Sequence, residues 1–173
     1  ELAAGERREP GERLASLLAL GCDRFGLEVG IVSRIDGDRW EIHALRAPEG
    51  FPPVGTALPL ADTLCRHTAG GERAVALEQV PAAPRTPAGG DPLGLEAYLG
   101  APIRIGETRF GTLVFASRSP REERFTASHK DLLALMAHWL GFELQHAAAD
   151  SAPRPARRTP AAGRPASRSC RAQ

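Results

Sequence analysis

Cys65 and His67 stand two residues apart in the segment Asp62-Thr63-Leu64-Cys65-Arg66-His67-Thr68. A thiol and an imidazole this close in sequence suit a metal ligand pair, a redox centre, a covalent nucleophile or an attachment point for a chromophore. The segment reads as a short helix over residues 61–69, ended by Gly70-Gly71, because glycine takes the left-handed C-terminal conformation without steric cost. Two helical residues are separated by about 200° of rotation, so the two side chains point to opposite sides. They cannot clamp one ion, and His67 cannot act as the base for Cys65. The remaining cysteines, Cys22 and Cys170, are remote in sequence and there is no C-x-x-C pair. The expectation is therefore no metal site, no disulfide framework and no catalytic residue. No G-x-G-x-x-G phosphate loop is present either. Cys22 adjoins a helical apolar stripe and reads as a small buried hydrophobe. His43 shares a strand face with Glu41 and reads as a partly solvated strand residue.

Those side chains must be positioned by elements that the hydrophobic period sets out. Leu14, Leu17, Leu18, Gly21 and Phe25 repeat at helical spacing. Val29, Ile31, Ser33 and Ile35 then alternate as one face of a strand. Asp36-Gly37 marks a tight turn, and the return strand places Trp40, Ile42 and Ala44 together. A Pro/Gly-rich loop follows, then the short helix, a short strand at 73–80, and a long Pro/Gly segment over 81–94. Loops of that length inside a domain are commonly functional or disordered. A second hairpin turns near Gly106-Glu107. Its return strand is apolar on both faces, as in a strand at the centre of a covered sheet. The last helix, capped by Thr126, carries two apolar seams. One is Leu132, Leu135, Trp139 and Phe142; the other is Leu133, Met136, Leu140 and Leu144. A sheet covers one stripe, so the second seam requires the first helix or a second subunit.

The chain has 173 residues with 42% hydrophobic and 25% charged content, within the range of one globular domain. From Asp150 onward six Arg stand against one Asp, which is +5; the chain total of +1 leaves −4 for the preceding 149 residues. The domain is mildly acidic, and no basic patch argues for nucleic acid. The tail has no aromatic or branched aliphatic residue and reads as disordered. No apolar run approaches the roughly 18 residues of a membrane span, and no signal-peptide core precedes the first helix. A cytoplasmic setting with reduced thiols is expected. The sequence starts with Glu1 and reads as a piece of a longer chain.

The stretch LEAYLGAPIRIGETRFGTLVFASRSPREERFTASHKDLLALMAHWLGFEL, residues 95–144, resembles the C-terminal half of a GAF domain, of the type found in bacterial sensor histidine kinases and diguanylate cyclases. The resemblance is carried by Tyr98-Leu99-Gly100-Ala101-Pro102, by Phe110-Gly111-Thr112-Leu113, by Phe115-Ala116-Ser117 and by Phe125-Thr126. Asp62-Thr63-Leu64-Cys65 is similar to that family's Asp-Thr-x-Cys segment. Three positions depart from the pattern. Leu64 stands where an aromatic is usual, His129 where the last helix usually has Asp, and Asp91-Pro92 where relatives often have His-Pro. A bilin-attachment cysteine in photoreceptor relatives is followed directly by histidine, whereas Cys65 is followed by Arg66.

The resemblance implies an α+β fold, an α/β/α sandwich. A central antiparallel sheet of five or six strands has the N- and C-terminal helices on one face. The short helix and long loop close a pocket on the other. The domain covers residues 11–146, between an N-terminal extension (1–10) and the Arg/Pro/Ala-rich tail (147–173). The implied role is a small-molecule-sensing regulatory domain of a bacterial signal-transduction protein, not an enzyme. The implied ligand, of unknown identity, is bounded by Asp62, Cys65, Tyr98 and Phe115. Its terminal helices are expected to form a homodimer, with a kinase or cyclase output domain outside this chain. The alternative is a dimerisation or spacer module that binds no ligand.

Overall fold

In the computed structural model, which describes residues 10–80 and 92–151, the first helix, α1, spans Pro10–Phe25. Pro10 occupies the first position, where its fixed φ suits the helix and its missing N–H is no loss. Gly26 follows at φ +65°, and the Leu27 N–H bonds back to the Cys22 carbonyl at 3.1 Å. That closure is a Schellman cap. Leu14, Leu18, Cys22 and Phe25 are buried against the sheet.

β1 (Val29–Asp36) and β2 (Arg39–Arg46) form the expected hairpin around Gly37, at φ +57°. The Pro/Gly-rich segment after β2 is not loop throughout, since β3 (Ala57–Pro59) pairs with β2. Pro59 is tolerated there because an edge strand needs ladder bonds on one side only. The single short helix expected over 61–69 is in two pieces. A 3-10 turn, Leu60–Asp62, is followed by α2, Arg66–Ala69, with Cys65 as the residue before it. β4 (Val75–Leu77), β5 (Ala97–Ile105) and β6 (Thr108–Ser117) complete an antiparallel sheet of order β3-β2-β1-β6-β5-β4. β1 and β6 are its centre, and residues 111–116 of β6 are buried without interruption, as strands covered on both faces must be.

Two bulges alter the alternation that the sequence suggested. Val32 pairs with Ala44 but Ser33 pairs with Ile42, so His43 is an extra residue in β2. Ala44 therefore packs with the helix-side core instead of with Trp40 and Ile42. Likewise Ile103 pairs with Gly111 and Arg104 with Arg109, leaving Phe110 extra. A bulge residue changes face, and Phe110 packs on the helix side, apart from Val114. The two bulge residues meet: the His43 and Phe110 rings lie edge to face, centroids 5.4 Å apart.

The last helix, α3, spans Ala127–Ser151. Thr126 caps it, its Oγ1 accepting from the His129 N–H while the Thr126 N–H donates to His129 Nδ1, both at 3.2 Å. His129 thus supplies the reciprocal half of a capping box, at the position where Asp is usual. α1 and α3 lie antiparallel on one sheet face. Arg13 near the start of α1 bridges Glu143 late in α3 at 2.6 Å, and Phe25 at the end of α1 meets His129 at the start of α3. Leu133, Met136, Ala137 and Leu140 are buried between α3 and the sheet. Leu135 (65% exposed), Trp139 (38%) and Phe142 (56%) face outward. Of the two expected seams, one is core, and the other is exposed except for Leu132, which packs partly buried against the core. The N-terminal extension up to residue 9, residues 81–91 of the long loop and the tail beyond Ser151 lie outside the described residues.

Candidate functional site

The sheet face opposite α1 and α3 carries a second buried cluster. β1 contributes Val29 and Ile31, β2 Trp40 and Ile42, β5 Tyr98, and β6 Val114 and Ala116. The turn before α2 adds Leu64 and Cys65 from above, and Leu93 and Leu95 close one side. Within this apolar layer lies a knot of neutral polar groups. The Thr112 hydroxyl donates to Cys65 Sγ at 3.3 Å, and Ser33 Oγ lies 2.6 Å from Thr112 Oγ1. With the Thr112 proton committed to sulfur, the Ser33 hydroxyl supplies the proton between the two oxygens. Ser33 Oγ in turn accepts the Thr112 N–H at 3.2 Å. Tyr98 reaches across from β5, its hydroxyl 2.7 Å from Thr68 Oγ1 on α2.

Cys65 is the centre of this knot. Burial pushes its thiol pKa up, while hydrogen bonds from Thr112, Tyr98, Trp40 and Thr63 pull it down. The thiol therefore stays protonated, and a buried protonated thiol is a poor nucleophile. Trp40 is fully buried, and its Nε1 meets no oxygen or nitrogen acceptor. The polar atom it approaches is the Cys65 sulfur, a weak acceptor. A buried indole N–H without a good partner costs about 1–3 kcal/mol.

Of the four residues expected to bound a ligand, the fold brings two together. Cys65 and Tyr98 are buried in the same cluster. Asp62 ends the 3-10 turn, half-buried. Phe115 is on the other face: it belongs to the helix-side core, packs tilted against Phe25 with ring centroids 5.1 Å apart, and lies over Gly21, where any Cβ would overlap its ring. Strand alternation is the reason, since Phe115 sits between inward-facing Val114 and Ala116. His67 is exposed on α2 while Cys65 is buried, as the helical rotation required. Among the described residues no three His, Cys, Asp or Glu side chains converge as metal ligands.

Sequence reasoning missed Trp40, Thr112, Ser33, Thr63 and Thr68. Their signal was present in part: Ser33 and Thr112 are hydroxyls at inward positions of otherwise apolar strands, a placement that demands partners. The Trp40 imbalance needed three dimensions. A separate open cleft of about 740 Å³ lies at the end of α1, lined by Cys22, Asp23, Gly26, Leu27, Glu28 and Arg46 among others. Burial raises the Cys22 pKa there, with the Arg46 guanidinium opposing it.

A six-stranded antiparallel sheet with terminal helices on one face and a short helix on the other is an arrangement found in known proteins. The family model described as "GAF domain" matches residues 9–146. No curated protein matches the chain in sequence. Among solved structures, the chain is similar to the GAF domain of an Acinetobacter phosphoenolpyruvate-protein phosphotransferase. That pair has 21% identity and a TM-score of 0.66, with 84% of this chain and 87% of that one covered. It is similar too to the GAF domain of the corresponding Coxiella burnetii protein, at 19% identity and TM-score 0.65, covering 84% and 88%. The blue-light-absorbing form of the Thermosynechococcus elongatus PixJ GAF domain matches at 18% identity and TM-score 0.62, covering 86% and 92%. At these identities the structures share the fold, and the match of the family across most of the chain, on the same element order, makes this chain a member of the GAF domain family.

Proposed function

We propose that this chain is the small-molecule-sensing regulatory domain of a bacterial signal-transduction protein. The ligand enters between the sheet and the turn before α2, where Cys65 and Tyr98 meet. The observation that carries this reading is the buried knot itself. A face meant only to be packed would be apolar, because buried polar groups contribute little net stability and cost much when unpaired. Here a thiol, four hydroxyls and an indole N–H converge. Similar solved structures include a cyanobacterial phytochrome GAF domain with bound phycocyanobilin, which supports a ligand role for a domain of this fold.

The output runs through α1 and α3. Leu135, Trp139 and Phe142 form an exposed stripe on α3, with Leu20 exposed on α1. We assign this stripe to a homodimer, whose helices pass the ligand state to a kinase or cyclase domain outside this chain. Nothing in the site is assigned a catalytic step, and the setting is cytoplasmic. No helix among the described residues is long and apolar enough to cross a membrane.

A second reading is a dimerisation or spacer module without ligand. It is favoured by the complete burial of Trp40 and Tyr98, whose rings fill the face a ligand would occupy. The two readings part on mass spectrometry and absorbance of natively purified protein, followed by thermal shift against nucleotides and metabolites. A bound or stabilising compound supports sensing; none by any of the three sinks it. Cys65→Ser is expected to alter binding and His67→Ala to leave it unchanged. A monomer at micromolar concentration by light scattering removes the dimer from both readings.

A further inference from the structure

Tyr98 does not stand on the sheet; it lies along its own strand. Its hydroxyl, Cζ and Cε1 occupy the space over Gly100 so closely that no Cβ fits there. The ring is placed by Gly100 beneath it and by the Thr68 bond at its tip. It is thus a flat, uncharged group set on a glycine platform beside Cys65. Trp40 Nε1, fully buried and without an oxygen or nitrogen acceptor, is directed into the same knot. The groups around it are Ser33, Thr63, Cys65, Thr68 and Thr112, all neutral. A carboxylate or phosphate buried among them would lack a counter-charge, which is strongly unfavourable. A carbonyl or ring nitrogen would instead satisfy the Trp40 donor.

We propose that the Tyr98 ring is the displaceable cover of a binding site over Gly100. The site takes a small, planar, uncharged ligand that presents a hydrogen-bond acceptor to Trp40 Nε1. This rests on the sensing reading above and names the ligand class for it. Rotation of Tyr98 about its own side-chain bonds vacates a volume of one phenol ring, and the ligand recovers both the ring's packing and the unused indole donor. The bonds of the Tyr98 hydroxyl to Thr68 and Cys65 restrain the cover.

The test uses the full chain and a matched pair of probes, nicotinamide (neutral) and nicotinate (the same ring carrying a carboxylate). The chain has two tryptophans, Trp40 and Trp139, so its indole N–H region in a nitrogen-15 NMR spectrum holds two signals, assigned with Trp139→Phe. Nicotinamide at millimolar concentration is expected to shift the Trp40 signal and leave Trp139 unmoved, with nicotinate silent at the same concentration. Thr68→Val keeps the side-chain shape and removes one of the bonds that hold Tyr98. It is expected to tighten nicotinamide binding about fivefold, the equivalent of one net hydrogen bond. Trp40→Phe removes that reporter, so its binding is read from saturation transfer to the nicotinamide ring protons, which is expected to be lost; a circular dichroism spectrum like the wild type confirms that it folds. Equal or better binding of nicotinate overturns the neutral-ligand assignment. A shift at Trp139 alone, or no shift at Trp40 in either wild type or Thr68→Val, overturns the site. If another compound co-purifies and leaves Trp40 unmoved, the sensing reading stands and this assignment falls.

Discussion

Gly100→Ala is a one-methyl change with a large expected effect. A Cβ at position 100 would overlap the Tyr98 hydroxyl, Cζ and Cε1, so the fully buried Tyr98 ring must leave its place. Emptying a buried aromatic site costs about 3–5 kcal/mol. Loss of the Thr68 bond leaves a buried hydroxyl short of a partner and adds about 1 kcal/mol. Against this, alanine restricts the unfolded chain relative to glycine and returns about 0.4–1 kcal/mol. The new methyl group and relaxation of the ring elsewhere in the cluster recover a further part, so a net loss of about 3 kcal/mol is expected. For a domain of this size that lowers the melting temperature by roughly 6–12 °C. The assay is urea unfolding at fixed protein concentration, read as a double-mutant cycle with Tyr98→Ala. If the ring causes the cost, Gly100→Ala is neutral or slightly stabilising once Tyr98 is already alanine. An equal loss in both backgrounds would refute the placement of Tyr98 over Gly100 and with it the cover of the proposed site.

Trp139→Glu puts a charge in the exposed α3 stripe while the buried face of the helix is untouched; monomer by light scattering with an unchanged melting curve of the isolated monomer is expected. Thr126→Ala removes one half of the reciprocal cap and is expected to cost about 1 kcal/mol. His129→Ala should cost a similar amount, with the double variant showing less than the sum in urea unfolding, because the two bonds form one unit. Partial burial holds the His43 pKa below its ordinary value, with Arg34 adding to the effect and Glu41 opposing it. The unfolded chain then takes up this proton first. Stability contributed by neutral His43 is therefore present above about pH 6.5 and declines as pH falls toward the folded value. His43→Phe is expected to flatten that part of the urea-midpoint profile; an unchanged slope would assign it to another group.

The period of the apolar residues was enough to place α1, the two hairpins and α3, because each element is long and one-sided or two-sided in a regular way. It failed where one residue breaks the regularity. His43 and Phe110 are bulges, and no local signal in Glu41-Ile42-His43-Ala44 or Arg109-Phe110-Gly111 announces them. They are set by cross-strand register, which is a long-range property. β3 was hidden because three residues among prolines and glycines carry no period. The site was legible by half for a similar reason. Cys65 could be turned inward from helical rotation, and Tyr98 from the quoted Tyr-Leu-Gly-Ala-Pro stretch. Phe115 was drawn into the site against the alternation that separates it from Val114.

The Tyr-Leu-Gly-Ala-Pro stretch has a physical content that a motif does not express. Gly100 is there because Tyr98 needs the space two residues ahead on the same face of β5. Pro102 sits where β5 pairs with Thr112 of β6. Tyr98 also pairs through its backbone with Leu77 on β4. The next residue, Glu78, accepts the Arg121 N–H on its carbonyl and the Phe125 N–H on its carboxylate, at 2.8 and 2.9 Å. The Phe125 N–H, and after it the backbone N–H of Glu78 itself, hold its carboxyl below the usual range. Phe125 is buried, and Thr126 after it caps α3. From Tyr98 to the cap of the helix that bears the exposed stripe there are four steps, each a covalent neighbour, a strand partner or a hydrogen bond. Such a chain transmits a signal only if one of its members has two arrangements. In the proposal above, Tyr98 is the member that supplies them.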